Sequence, residues 1–194
     1  MRIREKRSLM CDIVAKKLYD CHVTGICSGR NADFVRRLGA DEVIDYTTTD
    51  VAKALVDRRS GGRKYDLYID CVGGVEMFAH WHNFLHKNGA YITIVGDKTS
   101  RTSMGGPATY FTYPSQLLRF IRGYIFGPRY ANVLLYSKSE LLEEVASLAE
   151  KGEVEVEVQE VIKGVLDEGS QTWREVFDHM EGGRVRGKIV VAID

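Results

Sequence analysis

His22-Val-Thr-Gly-Ile-Cys-Ser-Gly-Arg-Asn31, continued by Ala-Asp-Phe-Val-Arg-Arg-Leu-Gly39, is the stretch on which the fold turns. Residues 22–27 form a short apolar, β-branched run, which reads as a buried strand. Ser28-Gly-Arg-Asn31 supplies the residues of a turn. Over residues 32–38, Phe34, Val35 and Leu38 fall at helical spacing, and Gly39 is placed to close the helix in the left-handed conformation. A buried strand, a short turn and a helix with one apolar face make the repeating unit of a parallel sheet covered by helices.

The same unit repeats in both directions from this stretch. Upstream, residues 10–19 read as a helix with Ile13, Val14 and Leu18 on one face. Downstream, strands are predicted at 42–45, 65–70, 90–95 and 131–136, and helices at 51–59, 77–86, 115–125 and 138–151. Each strand is apolar throughout, so the fold class is α/β, a doubly wound parallel sheet of the Rossmann type. After Gly152 the pattern changes: two strands, 153–158 and 188–193, flank a helix at 170–180. Residues 1–151 and 152–194 are therefore read as two units.

Lys plus Arg and Asp plus Glu number 27 each, and the hydrophobic fraction of 44% suffices for one sizeable core. A charge balance of zero argues against a nucleic-acid partner, which would call for a basic excess. Cys11, Cys21, Cys27 and Cys71 include no C-x-x-C pair, so reduced thiols are expected, with neither a disulfide framework nor a metal. The basic start, residues 1–7, has no apolar run behind it. The apolar stretch 110–126 is interrupted by Pro114, Gln116, Arg119 and Arg122, so no membrane span is expected. A cytoplasmic location follows, with a mitochondrial one as the alternative.

In an open parallel sheet, ligands sit beyond the carboxyl ends of the strands. That directs attention to Ser28-Gly-Arg-Asn31, Tyr46, Cys71-Val-Gly-Gly74 and Val95-Gly-Asp97. A carboxylate at the end of the strand preceding Ser28 would suit the ribose hydroxyls of NAD. Ser28 and Arg30 instead offer a hydroxyl and a guanidinium, whose charge-assisted hydrogen bonds suit a phosphate. The residues thus favour NADPH over NADH. On a plainer reading, Ser28 or Asn31 only caps the next helix and Arg30 is solvated. Gly73-Gly74 would let backbone approach a ligand, or form a tight turn and nothing more. His82 and His86 lie four apart on the predicted helix 77–86, with His80 nearby. Without an intervening Glu or a third ligand, a partly exposed helix face is the better reading than a zinc site, while Trp81 and Phe84 supply its buried side.

These residues carry a resemblance to a known family. Cys21-His-Val-Thr-Gly-Ile-Cys-Ser-Gly-Arg-Asn31, Leu38-Gly-Ala-Asp-Glu-Val-Ile-Asp-Tyr46, Tyr65-Asp-Leu-Tyr-Ile-Asp-Cys-Val-Gly-Gly74, Gly89-Ala-Tyr-Ile-Thr-Ile-Val95 and Gly183-Arg-Val-Arg-Gly-Lys-Ile-Val-Val191 follow one another as in the medium-chain dehydrogenase/reductases. The sequence most resembles the quinone-oxidoreductase and zinc-type-alcohol-dehydrogenase-like branch. The resemblance implies that Ser28 and Tyr46, helped by Arg30, contact the 2′-phosphate end of NADPH. Val72, Gly73, Val95 and Gly96 would line the ribose and nicotinamide side. Cys71 stands where relatives usually carry Asn beside the cofactor, and Arg186 and Gly187 lie in the segment that returns to it. The implied substrates are quinones or α,β-unsaturated carbonyls, often reduced without catalytic zinc.

The departures from the family shape the remaining expectations. Relatives begin with a catalytic domain of over a hundred residues and open the nucleotide domain with an apolar strand and a glycine-rich turn. This chain has no G-x-G-x-x-G, and residues 1–8 place Arg2, Arg4, Lys6 and Arg7 around a lone Ile3. A Rossmann-like domain lacking its first strand is expected, with a small C-terminal remnant of the catalytic domain. Four missing apolar side chains at about 1.5–3 kcal/mol each would consume most of a typical stability of about 5–15 kcal/mol. A weakly active or inactive protein follows, with a non-catalytic binding or regulatory protein as the alternative. A methyltransferase would want an acidic residue where Ser28-Gly-Arg30 stands. No side chain identifies itself as a catalytic acid or base. Leu118 and Ile121 suit a second copy as well as the core, which keeps a homo-oligomer open.

Overall fold

A computed structural model of the chain describes residues 9–57, 62–97, 114–133, 138–154, 156–167, 169–182 and 185–193. Helix α1 (Leu9–Tyr19) leads into strand β1 (Thr24–Cys27), helix α2 (Ala32–Arg37), strand β2 (Glu42–Asp45) and helix α3 (Val51–Asp57). Strand β3 (Tyr65–Asp70), a short helix α4 (Trp81–Phe84) and strand β4 (Leu85–Thr93) come next. Helix α5 (Pro114–Phe126), strand β5 (Arg129–Asn132) and helix α6 (Ser139–Glu150) complete the first unit. Strand β6 (Val158–Ile162), helix α7 (Thr172–Glu181) and strand β7 (Lys188–Val191) form the last one.

Every strand pair among the described residues is parallel, as the alternation of strands and helices predicts. The described strands make three sheets, β1–β2, β3–β4–β5 and β6–β7. Among the described residues no ladder joins β1 to β3; a long contact of 3.4 Å between the Thr24 and Tyr65 hydroxyls spans that gap. The core nevertheless runs across it. Ile44, Ala54 and Leu55 from the first sheet and its helix pack with Trp81, Phe84, Leu85, Tyr91 and Tyr130 from the second.

Local sequence explains most elements. Phe34, Val35 and Leu38 are buried as the helical spacing requires, and Gly39 has φ 112, the left-handed conformation that ends α2. Asp41 ties three segments: it accepts from Lys16 Nζ at 2.8 Å and from the Val23 amide at 2.8 Å. Those donors hold its carboxyl below the usual carboxylate range, the Lys16 hydrogen bond foremost.

Two expectations need correction. The predicted helix 77–86 is a 3₁₀ turn, Glu76–Ala79, followed by α4, and strand begins at Leu85. Leu85 pairs with Tyr65 and Ala90 with Leu67, so residues 86–89 bulge out of the ladder. Gly89 makes this possible, because a Cβ there would stand 2.7 Å from the Asp66 carbonyl. His82 and His86 consequently do not share a helix. The predicted strand 153–158 is displaced to β6. Val154 is buried with Ile13, Phe34 and Leu38 against α1 and α2, leaving residues 158–162 to pair with β7. The ends of helix 51–59 and of strand 131–136 lie outside the described residues.

Candidate functional site

The carboxyl end of the β1–β2 sheet is where Ser28, Arg30 and Tyr46 meet. Cys27 pairs with Asp45 in the ladder, and the Tyr46 amide donates to the Cys27 carbonyl at 3.2 Å. Ser28 and Tyr46 therefore follow adjacent paired positions and stand side by side where the strands end. Ser28 is buried and extended, Tyr46 is half-buried, and Arg30 is exposed on the 3₁₀ turn Gly29–Asn31. Neither Ser28 nor Asn31 uses its side chain as a helix cap, so the plainer capping reading does not describe this turn. The Asn31 side-chain oxygen is buried without a hydrogen-bond partner.

The last unit reaches the same turn. Arg186 Nη2 donates to the Arg30 carbonyl at 3.3 Å, across 156 positions of sequence. The Arg186 amide in turn donates to the Gln159 side chain. Two guanidinium-bearing residues are thus brought to one turn. Gly187 has a different role: with φ 134 it lies against the Glu157 carbonyl, and its neighbour Lys188 donates to that carbonyl at 2.8 Å. It fastens β7 to β6, next to Arg186 on the turn.

Cys71, Val72, Gly73, Val95 and Gly96 gather at the carboxyl ends of β3 and β4. The Gly74 amide donates to the Gly96 carbonyl at 3.2 Å and joins the two turns. Gly73, Gly74 and Gly96 have φ of 82, 114 and 75, conformations that L side chains rarely adopt. Buried Asp70 shapes the first turn, with one carboxylate oxygen accepting from the Val72 and Gly73 amides, each at 2.9 Å. Its other oxygen accepts from the Tyr91 hydroxyl at 3.0 Å. Burial, then the Asp70 charge, push the Tyr91 phenol up, so it stays a donor. Thr93, wholly buried, shapes the second turn by accepting from the Val95 and Gly96 amides. Asp97 accepts from Ser115 at 2.7 Å and from Arg119, which lies 4.0 Å over the Phe78 ring and anchors α5 to the turn.

Sequence reasoning missed Asp45, Asp70 and Thr93. A signal existed for the two aspartates: each ends a strand and bonds amides two or three positions on, the pattern of an Asx-turn. Among the described residues no three His, Cys, Asp or Glu side chains converge, so they offer no set of zinc donors.

Parallel strands that gather glycine turns at their carboxyl ends define a Rossmann-like domain. Residues 38–191 match the family model described as zinc-binding dehydrogenase, and the chain belongs to that family, in the quinone-oxidoreductase-like branch of the medium-chain dehydrogenase/reductases. It is 31% identical over 175 residues to the chloroplast envelope quinone oxidoreductase homolog of Arabidopsis thaliana, covering 90% of this chain and 46% of that protein. It is 29% identical to a trans-enoyl reductase of Penicillium oxalicum, covering 93% of this chain and 45% of that one. The chain spans about half the length of these relatives. Among solved structures, the quinone oxidoreductase from Coxiella burnetii superposes with a TM-score of 0.64 at 20% identity, over 95% of this chain and 49% of that one. CurA from Vibrio vulnificus, solved in complex with NADPH, gives 0.63 at 21% identity, over 98% and 55%.

Proposed function

We propose that the chain is the coenzyme-binding part of an NADPH-dependent oxidoreductase acting on quinones or α,β-unsaturated carbonyls. The observation that carries this reading is the turn after β1, where Ser28 stands beside Tyr46 and Arg186 is seated on the Arg30 carbonyl. A hydroxyl, a phenol and two guanidinium groups suit a 2′-phosphate. NADPH, when bound, supplies a hydride to the acceptor. The chain's own part is to hold and orient it: Ser28, Tyr46, Arg30 and Arg186 at the phosphate end, Cys71, Val72, Gly73, Val95 and Gly96 at the other. The Asp70 and Thr93 bonds fix the latter two turns before any ligand arrives, which lowers the cost of ordering them on binding.

Residues 1–151 serve as the nucleotide-binding unit in this reading, and 152–194 as a segment that closes on it through Val154 and Arg186. Among the described residues no helix is long and apolar enough to cross a membrane. Leu118, Ile121 and Tyr124 face outward from α5 and favour a homo-oligomer in which a second copy covers them. Fluorescence titration of Ser28→Ala and Arg30→Gln tests the coenzyme assignment. Each is expected to weaken NADPH binding by about tenfold, the loss of one charge-assisted bond, while NADH binding is unchanged. Equal losses for both coenzymes would contradict it.

A further inference from the structure

Asp45 ends β2 beside the coenzyme turn, and its carboxylate is committed to that turn and the next. It accepts from the Thr47 amide at 2.9 Å and the Thr47 hydroxyl at 2.6 Å. It also accepts from the Gly29 amide, which lies between Ser28 and Arg30. A Cβ on Gly29 would stand 2.5 Å from an Asp45 carboxylate oxygen. Gly29 has no unusual backbone conformation, so the requirement for glycine there is steric: only a bare Cα admits the carboxylate.

We propose that Asp45 is a positioning residue for 2′-phosphate recognition, holding Gly29 so that Ser28 and Arg30 face one anion. This rests on the coenzyme reading above. A carboxylate left free at this edge would repel a phosphate and accept ribose hydroxyls. Here Asp45 stays ionised, and its bonds to Thr47 and its approach to Gly29 turn it onto the backbone of the turn. The Tyr46–Cys27 bond holds the strands together without Asp45. Removing the carboxylate therefore loosens the turn while leaving the sheet.

The test is calorimetric titration of the 194-residue chain with 2′,5′-adenosine bisphosphate and with 5′-adenosine monophosphate. Asp45→Ala is expected to weaken the bisphosphate about tenfold and the monophosphate less than about twofold. Gly29→Ala should match it. Asp45→Asn should recover part of the loss, because its amide oxygen still accepts from Gly29. A purely structural role would weaken both ligands alike, and that outcome overturns the proposal, as does an unchanged preference for the bisphosphate. Should Asp45→Ala not fold, Asp45→Asn and Gly29→Ala decide by the same comparison. An unsubstituted chain with no preference for the bisphosphate would overturn the coenzyme reading itself, and this proposal with it.

Discussion

At the scale of single residues, strand-ending aspartates organise both halves of the site. Asp70 is buried and satisfies three donors, the Val72 and Gly73 amides and the Tyr91 hydroxyl. Asp70→Ala leaves the buried Gly73 amide and Tyr91 hydroxyl, and the part-buried Val72 amide, without this acceptor, which costs about 2–4 kcal/mol in urea unfolding. A loss below about 0.5 kcal/mol would show that those turns hold their shape unaided. That Ser28 and Tyr46 each follow a strand was legible in the sequence; that they stand side by side was an expectation from the fold class, because no local pattern states which strands pair. The bonds of Asp45 and Asp70 were not. An aspartate after a strand can face solvent, cap a helix or bind backbone, and which amides are left unpaired depends on where two strands stop together. Arg186 lay in the segment expected to return to the coenzyme, but its bond to the Arg30 carbonyl depends on how the last unit folds back.

At the scale of elements, short-range patterns fixed identity better than boundaries. Helix α2 and strand β2 fall where spacing and burial put them. The segment 77–86 did not, since Trp81, Phe84 and Leu85 suit one face of a helix as well as a turn leading into strand. What decides it is the pairing of Leu85 with Tyr65, a contact across twenty positions that no local pattern contains. Helix α5 gives a sharper case of packing against propensity. Gly123 lies in its interior, where Ala would ordinarily add about 1 kcal/mol. Here a Cβ would stand 2.5 Å from the Pro128 carbonyl and 3.0 Å from the Tyr130 amide. Gly123→Ala is expected to destabilise by about 1–3 kcal/mol in denaturant unfolding, because the helix must move off β5. A stabilised variant would mean that α5 does not pack on β5 in this way.

For the whole molecule, apolar side chains lie outside the core on several described helices. Leu118, Tyr124, Ile125 and Phe126 on α5, and Phe177 and Met180 on α7, are among the exposed apolar residues. With no ladder joining β1 to β3 among the described residues, these exposed side chains point to a loosely held fold. The chain alone should bind the dye ANS and show no cooperative thermal transition above ~45 °C, an ordinary value for a domain of this class. A sharp transition above that temperature, without dye binding, would contradict this. The α/β class was legible because short apolar runs alternate with helical spacing along the chain; the division of the described strands into three sheets was not, because it depends on which strands meet. The central claim, that the end of β1 receives a 2′-phosphate, is tested most directly by titrating the unsubstituted chain with NADPH and NADH under one set of conditions. Saturable binding that is tighter for NADPH is the predicted result. Equal or tighter binding of NADH, or no binding of either at millimolar coenzyme, would contradict it.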